Sequence, residues 1–562
     1  MASSQDRALQ ILEEIEELMK LRGENPFKIR AFEKAQNVIS ELPPAEDLET
    51  RAKAGTLTEL PGIGKGISEV LTEWLLQGRS TARDELRAAI PPGLLELTRI
   101  PGLGPKKAQV IIDELGITTL GELEYACREN RILKLKGFGE KAQAKILESL
   151  LFLKQGEGQQ RLPDGLEQGE AVEAALRKAA NSGRHPALES LRVSAVGELR
   201  RQREVMRTLE FLVEVPPGEK APEEIRRNCE AVAGKAKAGE LSRPVSLPVV
   251  VHYAPRPRYG YELARLTSTP EHWQALGSPA AFEAADEEAF FAKLDLPVIP
   301  PESRETGEEV ALARAGWFDD LLPEGGVQGV FHNHTTRSDG MNSVEQMVIG
   351  AKELGFKYIG ISDHSQSAFY AQGLKVPDLL EQEREIREVQ EKHPDIRVFW
   401  GIESDILQDG SLDYESKVLG RFDFVVASIH SRFGMDGTTM TDRILEAVRN
   451  PATRFLGHAT GRLLLGRPAY ACDLDRIIEE AARHDVAIEI NANPHRLDID
   501  WRWGPKLRAT KARVAINPDA HSVGELANTR FGVTMARKAL LPTAAVVNAR
   551  SVRDVDRWLR RA

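Results

Sequence analysis

Apolar residues near the start of the chain recur at helical spacing: Ile11, Leu12, Ile15, Leu18 and Met19 mark one face of a helix. Residues 1–80 read as helices separated by short turns. Three later segments resemble one another, LPGIGKGI (60–67), IPGLGPKKA (100–108) and LKGFGEKAQ (135–143), and each opens an amphipathic helix. Their irregular spacing makes them a short internal repeat rather than a solenoid. The stretch QGEGQQRLPDG (155–165) reads as a linker. From about residue 166 to 300 helical and alternating patterns mix, with strands expected at RVSAV (192–196), TLEFLVEV (208–215) and SLPVVVHY (246–253). VIPPESRETGEEVALA (298–313) is Pro-rich, then acidic, and reads as an extended connection. From Val327 the pattern becomes regular, with apolar strands such as YIGISDH, RVFWGIESD and DFVVASIH alternating with amphipathic helices. Seven such repeats predict parallel strands with right-handed crossovers, closed into a β/α barrel.

Composition sharpens this picture. A chain of 562 residues carries three or four domains. With 41% hydrophobic and 28% charged residues it has the balance of a soluble globular protein. No apolar run is long enough to span a bilayer, and the N-terminus lacks a signal-peptide core, so a cytoplasmic location is expected. The three cysteines, Cys127, Cys229 and Cys472, are isolated, which indicates neither disulfides nor a thiolate zinc site. A net charge of −10 argues against nucleic-acid binding by the whole surface, so any such contact must be local.

The chemistry is concentrated in the regular C-terminal part. His332, His334, Asp339, His364, Glu403, His430, His458, Asp519 and His521 fall at or just past the ends of predicted strands. Six of the chain's 12 histidines are in this set. Catalytic groups of a β/α barrel sit at the C-terminal ends of its strands. Mixed imidazole and carboxylate suits Zn, Mn or Fe better than Ca or Mg. Only the sixth strand lacks such a group, offering Asn491 and Asn493 instead. His185, His252, His272, His393, His484 and His495 lie outside the register and read as structural or surface residues.

The motifs HNHTTRSDG, ISDH, GIESD, SIH, GHATGRLL and PDAHS resemble the polymerase and histidinol phosphatase (PHP) family over about 327–562. The resemblance implies a distorted seven-stranded barrel with a trinuclear Zn or Mn centre. Carried over by position, His332, His334, Glu403 and Asp519 would hold one ion, and Asp339, His364 and His521 a second. Glu403, His430 and His458 would hold the third, with Glu403 bridging. Closely spaced dications turn bound water into a nucleophile and neutralise phosphate oxygens, so phosphoester hydrolysis is expected. Glu403, His334, Asp339 and Arg462 are the expected catalytic set. Arg462 and Arg496 read equally as phosphate clamps or as surface salt bridges.

The glycine turns have a separate logic. Gly62, Gly64, Gly102, Gly104, Gly137 and Gly139 permit tight turns that present helix N-terminal amides to a phosphate. Lys65, Lys106 and Lys107 add local positive charge. The pattern resembles helix–hairpin–helix DNA-binding motifs, whose contacts grip backbone and not base edges.

Hairpins, a mixed middle and a PHP barrel together resemble bacterial family X DNA polymerases over nearly the whole chain. The resemblance divides the chain into a lyase-like domain (1–80), fingers (81–157), a palm with shortened thumb (158–300), a linker (301–326) and the barrel (327–562). In the family's palm, a Gly-Ser pair precedes an Asp-x-Asp strand, and a third Asp lies on a later strand. Here the Gly-Ser pair is Gly197-Glu198, the Asp-x-Asp positions are Thr208 and Glu210, and the third position falls at Ser246. RLTST (265–269) stands where the family has a Tyr-Phe-Thr-Gly-Ser segment. One carboxylate cannot bridge two ions, so the reading expects no Mg in the palm and lost polymerase activity. Arg200, Arg201 and Arg203 read either as phosphate contacts or as a solvated basic face. Val70 occupies the position of the Schiff-base lysine of related repair enzymes, which argues against lyase chemistry.

The expected function is thus a DNA-repair phosphoesterase with up to three Mn²⁺ or Zn²⁺ ions, a 3′–5′ exonuclease with possible abasic-site or 3′-phosphate activity. Its expected partner is gapped, 3′-recessed or abasic duplex DNA, in the nucleoid-associated cytoplasm, with no membrane contact. The alternatives are a non-catalytic DNA-binding scaffold and a small-molecule phosphatase of the histidinol-phosphate kind.

Overall fold

The computed structural model describes residues 4–560 except 23, 41, 44–45, 91–92, 101, 129–130, 156–157, 183–189, 217–219, 240 and 242–243. His185 lies outside the described residues. The chain forms two compact units, Met1–Gly156 and Glu157–Ala562.

The first unit is helical. Ile11, Leu12, Ile15 and Leu18 of the helix Ser4–Arg22 are buried, as their spacing predicts, against a core that includes Leu48, Leu57, Leu71 and Leu97. Val70 belongs to that core. The three glycine turns share one geometry. In each, the amide of a buried apolar residue (Ile63, Leu103, Phe138) donates to the carbonyl three residues back, at 3.0–3.2 Å. The residue before it, Gly62, Gly102 or Gly137, has a φ of +84° to +91°, which a β-carbon would strain. Gly64 and Gly104 then cap the helices Lys65–Gln77 and Pro105–Leu115, and Gly139 precedes Glu140–Gln155.

The second unit begins with a mixed layer. β1 (Gln160–Arg161) pairs antiparallel with β3 (Val205–Met206). β2 (Val193–Val196), β4 (Leu209–Val215) and β5 (Val249–Pro255) form a three-stranded sheet in the order β2-β4-β5. Residues 160–165 are therefore not linker: β1 is followed at once by the helix Leu162–Ala180, whose Leu162, Val172 and Leu176 are fully buried.

The segment 298–313 also departs from the sequence expectation. It folds as a tight turn at Pro301–Ser303 and a helix, Glu308–Arg314, and Glu302, Arg304, Glu305 and Glu309 are buried. Arg304, fully buried, donates to the Ile299 carbonyl (2.8 Å) and pairs with Glu287. Glu305 receives Arg203 (3.0 Å) and the fully buried side chain of Lys538 (2.6 Å). Proline and acidic residues suggested exposure, but the cations that neutralise them come from distant parts of the chain. Arg200, Arg201 and Arg203 are among these: Arg200 binds Glu287, while Arg201 binds Glu305 and the Thr267 carbonyl. They form neither a solvated basic face nor a free phosphate contact.

Seven parallel strands follow: β6 (Gly329–Val330), β7 (Tyr358–Ile361), β8 (Arg397–Asp405), β9 (Phe424–Ser428), β10 (Thr453–Leu456), β11 (Ala487–Asn491) and β12 (Val514–Asn517). Each neighbours the next in chain order. The ring is completed past the strand ends, where the His334 amide donates to the Ala520 carbonyl (2.8 Å) and Asn333 bridges Ala520. Side chains alternate along a strand, so inward residues stack in layers. Tyr358, Phe399, Phe424 and Phe455 share a buried aromatic cluster, closed by Trp558 and Leu559 of the last helix. Gly360 and Gly401 come two residues later; a β-carbon on either would collide with the Phe424 ring. Two further residues along β8 comes Glu403. The same alternation takes β7 to His364, β9 to His430, and β12 to Asp519.

Candidate metal centre

All nine sequence-predicted ligands converge on the C-terminal mouth of the barrel. Glu403, almost fully buried, is the hub. Its Oε1 lies 3.2 Å from His332 Nε2, 3.2 Å from His430 Nε2 and 3.1 Å from His458 Nε2. Its Oε2 lies 2.9 Å from His364 Nδ1 and 3.7 Å from His334 Nε2. Asp519 Oδ1 sits 3.2 Å from His334 Nε2 and 3.5 Å from His332 Nε2. Asp339 Oδ2 sits 3.4 Å from His364 Nε2 and 3.5 Å from His521 Nε2.

These separations suit a shared cation. Tetrahedral ligands at about 2.0–2.1 Å from Zn stand roughly 3.4 Å apart. His332 Nε2, His334 Nδ1, His458 Nδ1 and Glu403 Oε2 are buried without a hydrogen-bond partner, and buried polar atoms rarely stay so. Three groupings bring donor atoms within 4.8 Å of one another: His334, Asp339, His364 and His521; His332, His334 and Asp519; and His364, Glu403 and His430. The groupings redistribute the expected sets. His334 serves two of them, and His364 joins Glu403 and His430, with His458 alongside at 3.2 Å from His430. The residues present fit several ions.

The electrostatics agree. Burial opposes the charged form of every group here, yet Glu489, Glu403 and Asp519 hold His332 well above the usual imidazole range. Against the same burial, Glu403 and Asp339 push His364 up to about 11, and Asp339 and Asp519 bring His521 to about 9. His334, desolvated and flanked by His521 and His364, falls to about 3. The carboxyl groups of Glu403 and Asp519, although desolvated, are held well below the ordinary range by the surrounding imidazoles. So much negative charge in a dry site calls for compensating cations, protons or metal ions.

Three residues in the site escaped sequence reasoning. Glu489, fully buried on β11, is 2.7 Å from His332 Nδ1 and also accepts from the His458 amide (2.8 Å) and from Asn517 and Asn491 (3.1 Å each). Asp405 lies 2.6 Å from His430 Nδ1. Each carboxylate fixes a ring so that its Nε2 faces Glu403. Asp363, two residues along β7 from Ile361, braces the loop that carries Asp339, accepting from the Thr335 amide (2.7 Å) and Ser338 (2.6 Å). The sixth strand is therefore not silent, and Asn491 reaches Asp519 Oδ2 at 3.1 Å.

The two arginines separate. Arg462 does not point at the centre: Nε donates to the Arg496 carbonyl (2.9 Å), and its Nη atoms bind the Leu497 carbonyl and Asp500. Its catalytic assignment is corrected to bracing of the 496–500 loop. Arg496, which that loop carries, places Nε 3.4 Å from Asp519 Oδ2.

Of the palm positions, Glu210 lies on β4, and Gly197, Glu198, Thr208 and Ser246 lie just beyond the ends of the β2-β4-β5 strands. Thr208 Oγ1 is 3.4 Å from Glu210 Oε1, and a β-carbon on Gly197 would come within 2.8 Å of that same oxygen. Glu198 accepts from the Arg207 amide (2.7 Å). Ser246 precedes β5 and bonds to Gln160 and Gln168. The β5 residues beside Glu210 are Val250, by register, and His252, whose Nε2 is 2.9 Å from Glu210 Oε2. In the helical unit, Lys65, Lys106 and Lys107 are exposed around the glycine turns, and Lys107 lies over the Phe138 ring of the third turn. A groove there is lined by Lys20, Arg22, Gly102, Gly104, Lys106 and Lys107.

Comparison with known proteins covers the regions that carry these residues. Residues 4–80 match a helix–hairpin–helix domain, 94–150 a SAM-like helix–hairpin–helix tandem, and 331–493 a PHP domain. Asp519 and His521 lie beyond the last match, and the fold brings them to the same mouth. A probable phosphatase of Caldicellulosiruptor saccharolyticus is 35% identical over 28% of this chain and 64% of its own length. A probable phosphatase of Caldanaerobacter subterraneus is 25% identical over 41% of this chain and 89% of its own. The DNA polymerase/3′-5′ exonuclease PolX of Bacillus subtilis is 32% identical over 98% of this chain and 99% of its own. This match overturns the expectation of lost polymerase activity, since a relative aligned end to end, middle region included, is named for polymerase and exonuclease alike. On that end-to-end match, the chain belongs to the PolX family.

Proposed function

We propose that the chain is a DNA enzyme of the PolX type whose barrel mouth is a 3′–5′ exonuclease centre. The convergence of nine imidazole and carboxylate side chains on one barrel mouth, with Glu403 as their hub, carries the reading. Mn²⁺ or Zn²⁺ held by these residues would supply a nucleophilic water at neutral pH and offset phosphate charge. The chain's own groups do the rest. Glu489 and Asp405 hold the rings of His332 and His430 with Nε2 inward. The aromatic layer beneath closes the mouth from below. Arg496, beside Asp519, is placed to receive a phosphate oxygen. The glycine turns, with their exposed lysines, supply sequence-independent grip on duplex DNA. Nucleotide addition belongs to the same reading, assigned to the sheet that bears Glu210, and we keep the five-part division of the chain as its domain plan. Among the described residues no helix is long and apolar enough to cross a membrane; we place the protein with DNA in the bacterial cytoplasm.

One assay tests both activities. A 5′-labelled primer on a recessed duplex is incubated with Mn²⁺-loaded protein, with and without deoxynucleotides. Shortening that disappears in Glu403→Ala supports the exonuclease; extension that persists in the same variant supports a separate synthetic site. An intact primer in all lanes removes the reading, and faster turnover of a small phosphate monoester than of DNA would favour the metabolite phosphatase.

A further inference from the structure

The β7 loop that follows the ligand His364 carries a side chain that the metal centre does not use. Phe369 is 83% exposed, the most exposed large apolar side chain among the described residues. The loop is not slack. It closes on its own base, where the Leu374 amide donates to the His364 carbonyl (2.8 Å) and Ser365 bridges Leu374. The Ser367 amide donates to Asp413 (2.6 Å), and its hydroxyl donates to Asp405 (2.8 Å), the carboxylate that also orients His430. Gln372 turns the chain back with φ +56°, and a β-carbon on Gly373 would strike the Ser365 carbonyl. A braced loop thus holds a phenyl ring out in water, five residues from a metal ligand. At about 3.3 Å per residue, five residues reach no more than roughly 17 Å, two or three nucleotides of a strand. In the loop after β9, two residues past the ligand His430, Arg432 is exposed and has no ion-pair partner among the described residues.

We infer that Phe369 is a stacking platform for a nucleobase of the unpaired 3′ strand, and that Arg432 meets that strand's phosphate. An exposed aromatic offers its face to any base, which suits an enzyme that must digest every sequence. Arg432 supplies charge without base readout. The inference rests on the exonuclease reading and adds to it a single-stranded substrate held outside the metal ligands.

The test uses the full chain loaded with Mn²⁺ and a single-stranded oligonucleotide bearing 2-aminopurine near its 3′ end. Wild-type protein is expected to quench the 2-aminopurine on binding. Phe369→Ala is expected to lose the quench and raise KM about tenfold with little change in kcat, whereas Phe369→Tyr keeps both near wild type. Replacing the bases of the last three nucleotides with abasic sites is expected to abolish the difference between wild type and Phe369→Ala. Metal content and Tm unchanged in both variants exclude a disturbed loop. Active wild type with an unaltered Phe369→Ala overturns the platform alone; wild type that leaves DNA intact overturns the exonuclease reading, and the platform with it.

Discussion

The two units of this chain use charge in opposite ways. In the helical unit, Lys65, Lys106 and Lys107 stand in water around the glycine turns. In the barrel unit, Glu403, Glu489 and Asp519 are buried and gathered on the His332 ring, and Lys538 is buried against Glu305. Exposed charges act additively and are screened by salt; each contributes little, and each is replaceable. Buried charges are held in fixed geometry, and removing one strands its partners. Gripping any DNA sequence requires the first arrangement, and placing ions within tenths of an ångström requires the second.

That contrast predicts a descending series of effects. Glu403→Gln removes the hub that touches five histidines, so metal content falls and 3′ digestion drops by about 1,000-fold or more, read by metal analysis alongside the primer assay. Glu489→Gln touches no ion yet frees the His332 ring, and is expected to cost about 10–100-fold in metal affinity or activity. The third member lies outside the centre. Glu204 is desolvated but held down to about 2 by Arg502, Arg203 and Lys538. A depressed carboxyl stabilises the fold above its unfolded pKa, near 4.5, and that contribution is lost as pH falls through about 2. It is on the order of 3 kcal/mol. Glu204→Gln should lower the Tm by several degrees at pH 7, with the gap to wild type closing as acid approaches pH 2. Last, Lys106→Ala or Lys107→Ala should weaken duplex binding only a few-fold, reducing the salt slope by about one per lysine with kcat untouched. A lysine variant that abolished hydrolysis of bound DNA would break the contrast; so would a Glu489→Gln protein with full metal content.

Sequence made the barrel and its ligands legible for a definite reason. Strand ends can be located from apolar runs, and His364, Glu403 and His430 each stand at such an end. Glu489 was hidden inside the run VAIEIN, although a lone carboxylate at an inward position of a buried strand was itself a signal. Arg462 misled through its nearness in sequence to His458; its guanidinium turns to the loop backbone, a direction no spacing rule encodes. The acidic segment 298–313 misled because its partners, Arg201, Arg203 and Lys538, lie about a hundred residues or more away on either side. The palm positions show the limit of matching by motif. Ser246 precedes β5, whereas the β5 residues beside Glu210 are Val250 and His252, a proximity that no motif spacing encodes.

The buried Lys538 has a consequence for traffic. Its ammonium bonds to the Arg201 carbonyl, the Glu302 carbonyl and Glu305, while Trp501 and Arg502 reach across to Glu204. The mixed sheet and the barrel are thereby riveted into one block. On the proposed reading, a 3′ end that passes from the Glu210 sheet to the barrel mouth crosses between two surfaces fixed to one another, so no swing of the barrel against the sheet shortens its path.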